Sequence, residues 1–243
     1  MKNIEVCVTP ELVEVYGVKD KIVVVVDILR ATSCMTTALA HGIRSITPVA
    51  TLQECKALKD QGYLAAAERD GKTAEGFDLG NSPFTYMNKK EMVGKDLAVT
   101  TTNGTLAITK SVEAREIIIG SFLNISVVCN YLANQPHDVL ILCAGWKGKL
   151  NLEDTIFAGA LVEALGKNFD AENDSALAAL ALYHAAKHNM LDFLLNSSHV
   201  KRLKGLNIIK DIDFCLQRDI YNIIPVLKGK KLVEMEMNYI ETR

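Results

Sequence analysis

Asp27, Arg30, Thr32 and Ser33 follow directly on the apolar run Ile22–Val26, where a strand would hand over to a helix. Backbone N–H groups at a helix start attract anions, and a guanidinium adds paired donors for a phosphate. Asp27 would repel that phosphate unless a cation stood between them. Mg²⁺, which commonly takes one or two carboxylates together with phosphate oxygens, removes the conflict. The same residues also suit a purely structural role, with Thr32 or Ser33 capping the helix and Asp27 paired to Arg30. A second anion loop is offered by Thr100–Thr105: hydroxyls at Thr102 and Thr105, the amide of Asn103, and Gly104, which permits close backbone approach. Asn103-Gly104 is equally a turn pair.

Two further loops carry polar groups. Cys143-Ala-Gly-Trp-Lys-Gly-Lys149 is glycine-rich and leads to a helix start with Glu153 and Asp154 in its first turn. Those carboxylates suit a metal, or simply the helix dipole. A cysteine-phosphatase loop needs Arg six residues after the nucleophile, and position 149 is Lys, so Cys143 is read as packing. Glu68 ends the run Tyr63–Ala67 and is placed to join Asp27 at a metal; Asp70-Gly71-Lys72 extends its loop. Beyond it, Asp78, Asn81 and Ser82 are substrate contacts or turn formers. Neither a G-x-x-x-x-G-K-[ST] loop nor a strand-linked G-x-G-x-x-G is present. The Asp-x-Asp-x-Thr pattern of aspartyl-phosphate phosphatases fails at Leu29 and Ala31, leaving an Asp27 nucleophile as a minor alternative.

These residues need a scaffold. The 243-residue chain is 49% hydrophobic and 23% charged, enough to bury a large core unaided. A formal net charge of -2 favours neither nucleic acid nor a membrane surface, so anion binding must be local. The six cysteines include no C-x-x-C pair or zinc spacing and read as reduced core thiols. No signal pattern or membrane-length apolar run is seen, and a cytoplasmic location is expected.

Short branched runs at Ile4–Thr9, Ile22–Asp27, Ser45–Val49, Tyr63–Ala67, Leu97–Thr102, Glu116–Ile119 and Val139–Ala144 read as strands, several buried on both faces. Helices are expected between them: Ala31–Gly42, Thr51–Gly62 with a Thr51/Glu54 capping box, and Leu152–Leu165 capped by Asn151. A further helix is expected over Ala176–Leu195. Leu232–Ile240 alternates like a half-exposed antiparallel or edge strand. It suits either covering the core or pairing across the two-fold axis of a homodimer. The pattern predicts an α/β fold with a mixed central sheet in one domain spanning residues 1–243.

Taken in order, Val26–Ser33, Glu68-Arg69, Phe77–Pro83, Thr101–Thr105, Cys143–Gly145, Leu152–Asp154, Asp211–Cys215, Asp219 and Ile224–Val226 resemble the 2-phosphosulfolactate phosphatase (ComB) family over nearly the whole chain. The resemblance implies a three-layer α/β/α fold and a Mg²⁺-dependent hydrolase. It would release phosphate and sulfolactate from 2-phosphosulfolactate, a step toward coenzyme M, or act on a related phosphorylated 2-hydroxy-acid. On this expectation Asp27 and Glu68 hold Mg²⁺, with Asp154 next. Arg30, Thr32, Ser33, Thr102, Asn103, Gly104 and Thr105 bind phosphate, with Asn81 a further substrate contact, and Lys147 or Arg69 meets the second acid group. His199 is read as a surface histidine or an acid for the leaving oxygen. A non-catalytic small-anion binder and a Mg²⁺-dependent lyase or isomerase stay open; release of inorganic phosphate separates both from a hydrolase.

Overall fold

The computed structural model describes residues 2–69, 72–87, 89–171, 173–203 and 209–236. Among these, eleven strands form one mixed sheet: β1 (Lys2–Cys7), β2 (Ile22–Val26), β3 (Ser45–Pro48), β4 (Leu64–Arg69), β5 (Lys72–Thr73), β6 (Asp96–Thr100), β7 (Glu116–Gly120), β8 (Val139–Cys143), β9 (Phe169–Asp170), β10 (Pro225–Lys228) and β11 (Lys231–Glu234). The spatial order is β5-β4-β6-β3-β11-β10-β7-β2-β8-β1-β9. β4, β6 and β3 form one parallel block, and β7, β2, β8, β1 and β9 another. The β10–β11 hairpin joins them through antiparallel pairing on both sides. An odd number of antiparallel pairings separates the blocks, so they run in opposite senses.

Strand chemistry explains the burial. Every residue of β2 and β8 is buried, and alternate side chains enter different cores. Ile22, Val24, Val26, Val139 and Ile141 pack on one face with helices Ile125–Ala133, Leu152–Leu165 and Asp174–Ala186. Val23, Val25, Leu140 and Leu142 pack on the other with helices Ala31–Ala40 and Gly104–Lys110. The result is the expected α/β/α layering. Among the described residues no helix is long and apolar enough to cross a membrane.

Several local expectations change. The Thr51/Glu54 capping box is present, but Asn151 occupies its N-cap position without a side-chain cap, its amide turned toward His199. The helix expected over Ala176–Leu195 is two, Asp174–Ala186 and Met190–Leu194, because the Asn189 side chain accepts from Asp192 N–H and starts a new helix. The C-terminal alternating segment is antiparallel as expected, yet it lies at the middle of the sheet. β3 and β10 occupy both its edges, so β11 has none to offer a second copy. Residues 237–240 of that segment, and Asp70-Gly71 of the Glu68 loop, lie outside the described residues.

Helix Leu152–Leu165 is apolar almost all round because the sheet takes one side and helix Asp174–Ala186 another. Their closest approach is at Gly159, where an added Cβ would stand 2.0 Å from the Ala179 carbonyl oxygen. Gly159→Ala should therefore lower stability by about 1–3 kcal/mol in urea denaturation. Gly166→Ala, whose Cβ would find only contacts of 3.5 Å and beyond, should be close to neutral. Equal effects at both positions would refute the close-packing account.

Candidate active site

The loops that follow β2, β4, β6 and β8 meet at one site: Arg30 and Glu68 line one cavity, Gly104 abuts Asp27, and Asp154 touches both Ile28 and Gly145. After β2, Asp27 N–H donates to Thr32 Oγ1 at 3.0 Å and Thr32 N–H returns to the Asp27 carbonyl at 2.9 Å. Ser33 Oγ donates to the Ile28 carbonyl at 3.0 Å. The hydroxyls of Thr32 and Ser33 are thus turned into the loop itself, bracing the backbone at Asp27. The loop after β6 closes against it. A Cβ at Gly104 would stand 2.9 Å from Asp27 Oδ2 and 2.9 Å from Ala31 Cβ, so only glycine lets these two loops meet. Thr105 is buried, with its hydroxyl donating to the Thr101 carbonyl at 2.8 Å, while Thr102 and Asn103 are half-buried on the same loop.

Arg30 is buried and ion-paired with Asp211 of helix Ile209–Cys215, and Ser82 Oγ donates to the other Asp211 oxygen at 3.0 Å. The structural alternative of an Asp27–Arg30 pair is replaced by this longer-range one. A cavity of about 190 Å³ opens beside it, with Arg30, Glu68, Asn81, Trp146, His199 and Arg202 in its walls. Lys147 stays outside on the exposed Trp146–Lys149 turn, its Nζ 5.1 Å from the Trp146 ring centre.

Asp154 is fully enclosed, and its two oxygens accept from Ile28 N–H at 2.9 Å and Gly145 N–H at 3.2 Å. It ties the β2 and β8 loops together. Its neighbour Glu153 is different: Oε1 meets His199 Nδ1 at 2.5 Å, and Oε2 is buried with no hydrogen-bond partner among the described residues. His199 is buried, contrary to its reading as a surface residue, and stacks on Trp146. Sequence reasoning selected Asp154 over Glu153, gave Asp211 no role and missed Arg202. The one available signal was the i, i+3 spacing of His199 and Arg202, which puts both on one helix face.

The electrostatics follow from this crowding. Burial pushes the Asp27 carboxyl up to about 6; Glu153 and Glu68 push the same way, against His199 and the Ala31 N–H. Burial, then Glu153 and Asp27, hold Asp154 well above the usual carboxylate range despite its two backbone donors. Burial likewise raises the Cys143 thiol, in keeping with its reading as a packing residue.

Such a cleft fits a divalent cation: four carboxylates repel one another, and a buried carboxylate oxygen lacks a partner. Among the described residues no three His, Cys, Asp or Glu groups form a ready-made ligand cage. Mg²⁺ does not require one, since it keeps waters and takes one or two carboxylates plus phosphate oxygens.

Comparison with known proteins gives the lineage. A family profile described as 2-phosphosulpholactate phosphatase matches residues 7–230. The chain belongs to the 2-phosphosulfolactate phosphatase family. It is 41% identical to the "Probable 2-phosphosulfolactate phosphatase" of Caldanaerobacter subterraneus subsp. tengcongensis, over 87% of this chain and 89% of that protein. A protein of the same description from Thermotoga petrophila is also 41% identical, over 84% and 88%. One from Clostridium tetani is 34% identical, over 93% and 98%. The 2-phosphosulfolactate phosphatase family is one of phosphoric monoester hydrolases, and the cleft described above is its candidate catalytic site here.

The Asp27 environment sets a pH dependence. The unfolded carboxyl titrates at its ordinary 3.8 and the folded one at about 6, so between these values only the folded state holds the proton. The associated stability is complete below pH ~4 and fades as pH rises through ~6. Full conversion corresponds to about 3 kcal/mol. Asp27 is only half-buried, so with solvent screening a fall of about 1–2 kcal/mol is expected. Urea denaturation in EDTA should show this fall, and Asp27→Asn should remove it. The same profile in the variant would assign the titration elsewhere.

Proposed function

We propose that this protein is a Mg²⁺-dependent phosphatase that hydrolyses 2-phosphosulfolactate, or a closely related phosphorylated 2-hydroxy-acid, to the hydroxy-acid and inorganic phosphate, the reaction type of coenzyme M biosynthesis. The observation that carries the reading is the crowding of Asp27, Glu68, Glu153 and Asp154 in one cleft beside a buried arginine, within this family's framework. Asp27 and Glu68 hold the cation, and the orphaned Glu153 Oε2 makes Glu153 the better third candidate. Asp154, both oxygens engaged by backbone, positions the loops rather than serving first as a ligand. When bound, Mg²⁺ neutralises charge on the phosphate oxygens.

The protein's own groups supply the rest. Asp211 and Ser82 fix the Arg30 guanidinium so that it donates to the phosphate without reorganising. The Thr102–Thr105 loop borders the phosphate, and Asn81 contacts the acid. Water attacks phosphorus. Glu153 holds the Nδ1 side of His199, leaving the opposite nitrogen to hand a proton to the departing 2-oxygen. Phosphoryl transfer needs mainly such positioning and charge stabilisation.

The decisive assay is phosphate release from racemic 2-phosphosulfolactate and 2-phospholactate, with Mg²⁺ and with excess EDTA. Metal-dependent release is expected; none from either substrate, by demonstrably folded protein, would sink the hydrolase reading. Asp27→Asn should abolish turnover while the protein stays folded. His199→Gln should lower kcat by about 10²–10⁴-fold, and a loss below tenfold would remove it as the acid.

A further inference from the structure

The cleft holds two guanidinium groups in unlike settings. Arg30 is buried and already compensated by Asp211. Arg202 belongs to helix Ser198–Leu203, is exposed at the cavity wall, and lies over Trp146 with its guanidinium carbon 4.6 Å from the ring centre. Nη1 reaches Ser198 Oγ at 3.4 Å. Among the described residues no carboxylate pairs with it. The other cations proposed for a second acid group are placed differently. Arg69 donates to the Glu68 carbonyl and to Thr100 Oγ1, and Lys147 sits on the outer turn.

A phosphorylated 2-hydroxy-acid carries its phosphate and carboxylate on one carbon; a sulfonate, where present, lies one carbon further. Arg30, Trp146 and Arg202 line the same cavity, so with phosphate at Arg30 the Trp146–Arg202 wall is available to the more distant group. The chemistry matches. A guanidinium is weakly hydrated, stacks on an aromatic face and offers a fork of donors to a multi-oxygen anion, and the indole gives the intervening methylene an apolar surface.

We propose that Arg202, held over Trp146, recognises the sulfonate and so sets the preference for sulfonated over non-sulfonated phosphorylated hydroxy-acids. This rests on the phosphatase reading above, and the test separates the two. Steady-state kinetics of wild type, Arg202→Gln and Arg202→Lys are measured with 2-phosphosulfolactate and 2-phospholactate, alongside calorimetric titration with sulfolactate and with inorganic phosphate. Arg202→Gln should lose about 10–100-fold in kcat/KM on the sulfonated substrate, chiefly through KM, and at most about twofold on 2-phospholactate. Arg202→Lys should recover part of the loss. Sulfolactate binding should weaken in parallel while inorganic phosphate binding stays unchanged. Equal losses on both substrates, or no loss on either, would overturn the assignment. If wild type hydrolyses neither substrate, the phosphatase reading falls, and the titrations still decide. Sulfolactate binding that weakens in Arg202→Gln supports the subsite; no binding, or binding that does not weaken, overturns it.

Discussion

Like charge crowded into one partly buried cleft is the constraint on which the rest of this structure depends. Asp27, Glu68, Glu153 and Asp154 approach one another closely enough for burial and mutual repulsion to raise the carboxyls of Asp27 and Asp154. Left to itself such a cluster would spread apart. Asp27, Glu153 and Asp154 are held because they hang from a framework with little room to yield: β2 and β8 are buried throughout, and helix Leu152–Leu165 is wedged between sheet and helix. The repulsion is therefore stored locally and made available to whatever positive charge enters.

The arginine is treated in the opposite way. Arg30 is compensated within the protein, and Asp211 couples it both to its own helix and to Ser82 on a distant loop. Anchoring a guanidinium through one edge restricts how the other can point, which suits a group whose value lies in geometry. A buried pair of this kind is weak evidence for stability and better evidence for placement. His199 follows the same logic through Glu153.

Much of the layout was legible in the sequence. Branched runs such as Ile22–Val26 announced buried strands, and the polar loops after them are the ones that meet. What escaped had non-local causes. Neighbouring helix residues point about 100° apart, and nothing in Glu153-Asp154 itself says which faces the cleft. His199 looked exposed because its partners lie 46 and 48 positions away. The alternation in β11 revealed a strand but not its partners, and Gly229, at φ 60 between β10 and β11, makes a hairpin that closes the centre of the sheet rather than its rim.

That hairpin carries a consequence for how the molecule is made. Residues 225–234 emerge from the ribosome after both parallel blocks, yet they are the seam between β3 and β7. Until the seam is in place, the halves that contribute Asp27 and Glu68 share no continuous backbone pairing. Three of the four acidic groups, Asp27, Glu153 and Asp154, belong to the block of β2 and β8, so Glu68 alone waits on this seam to join them.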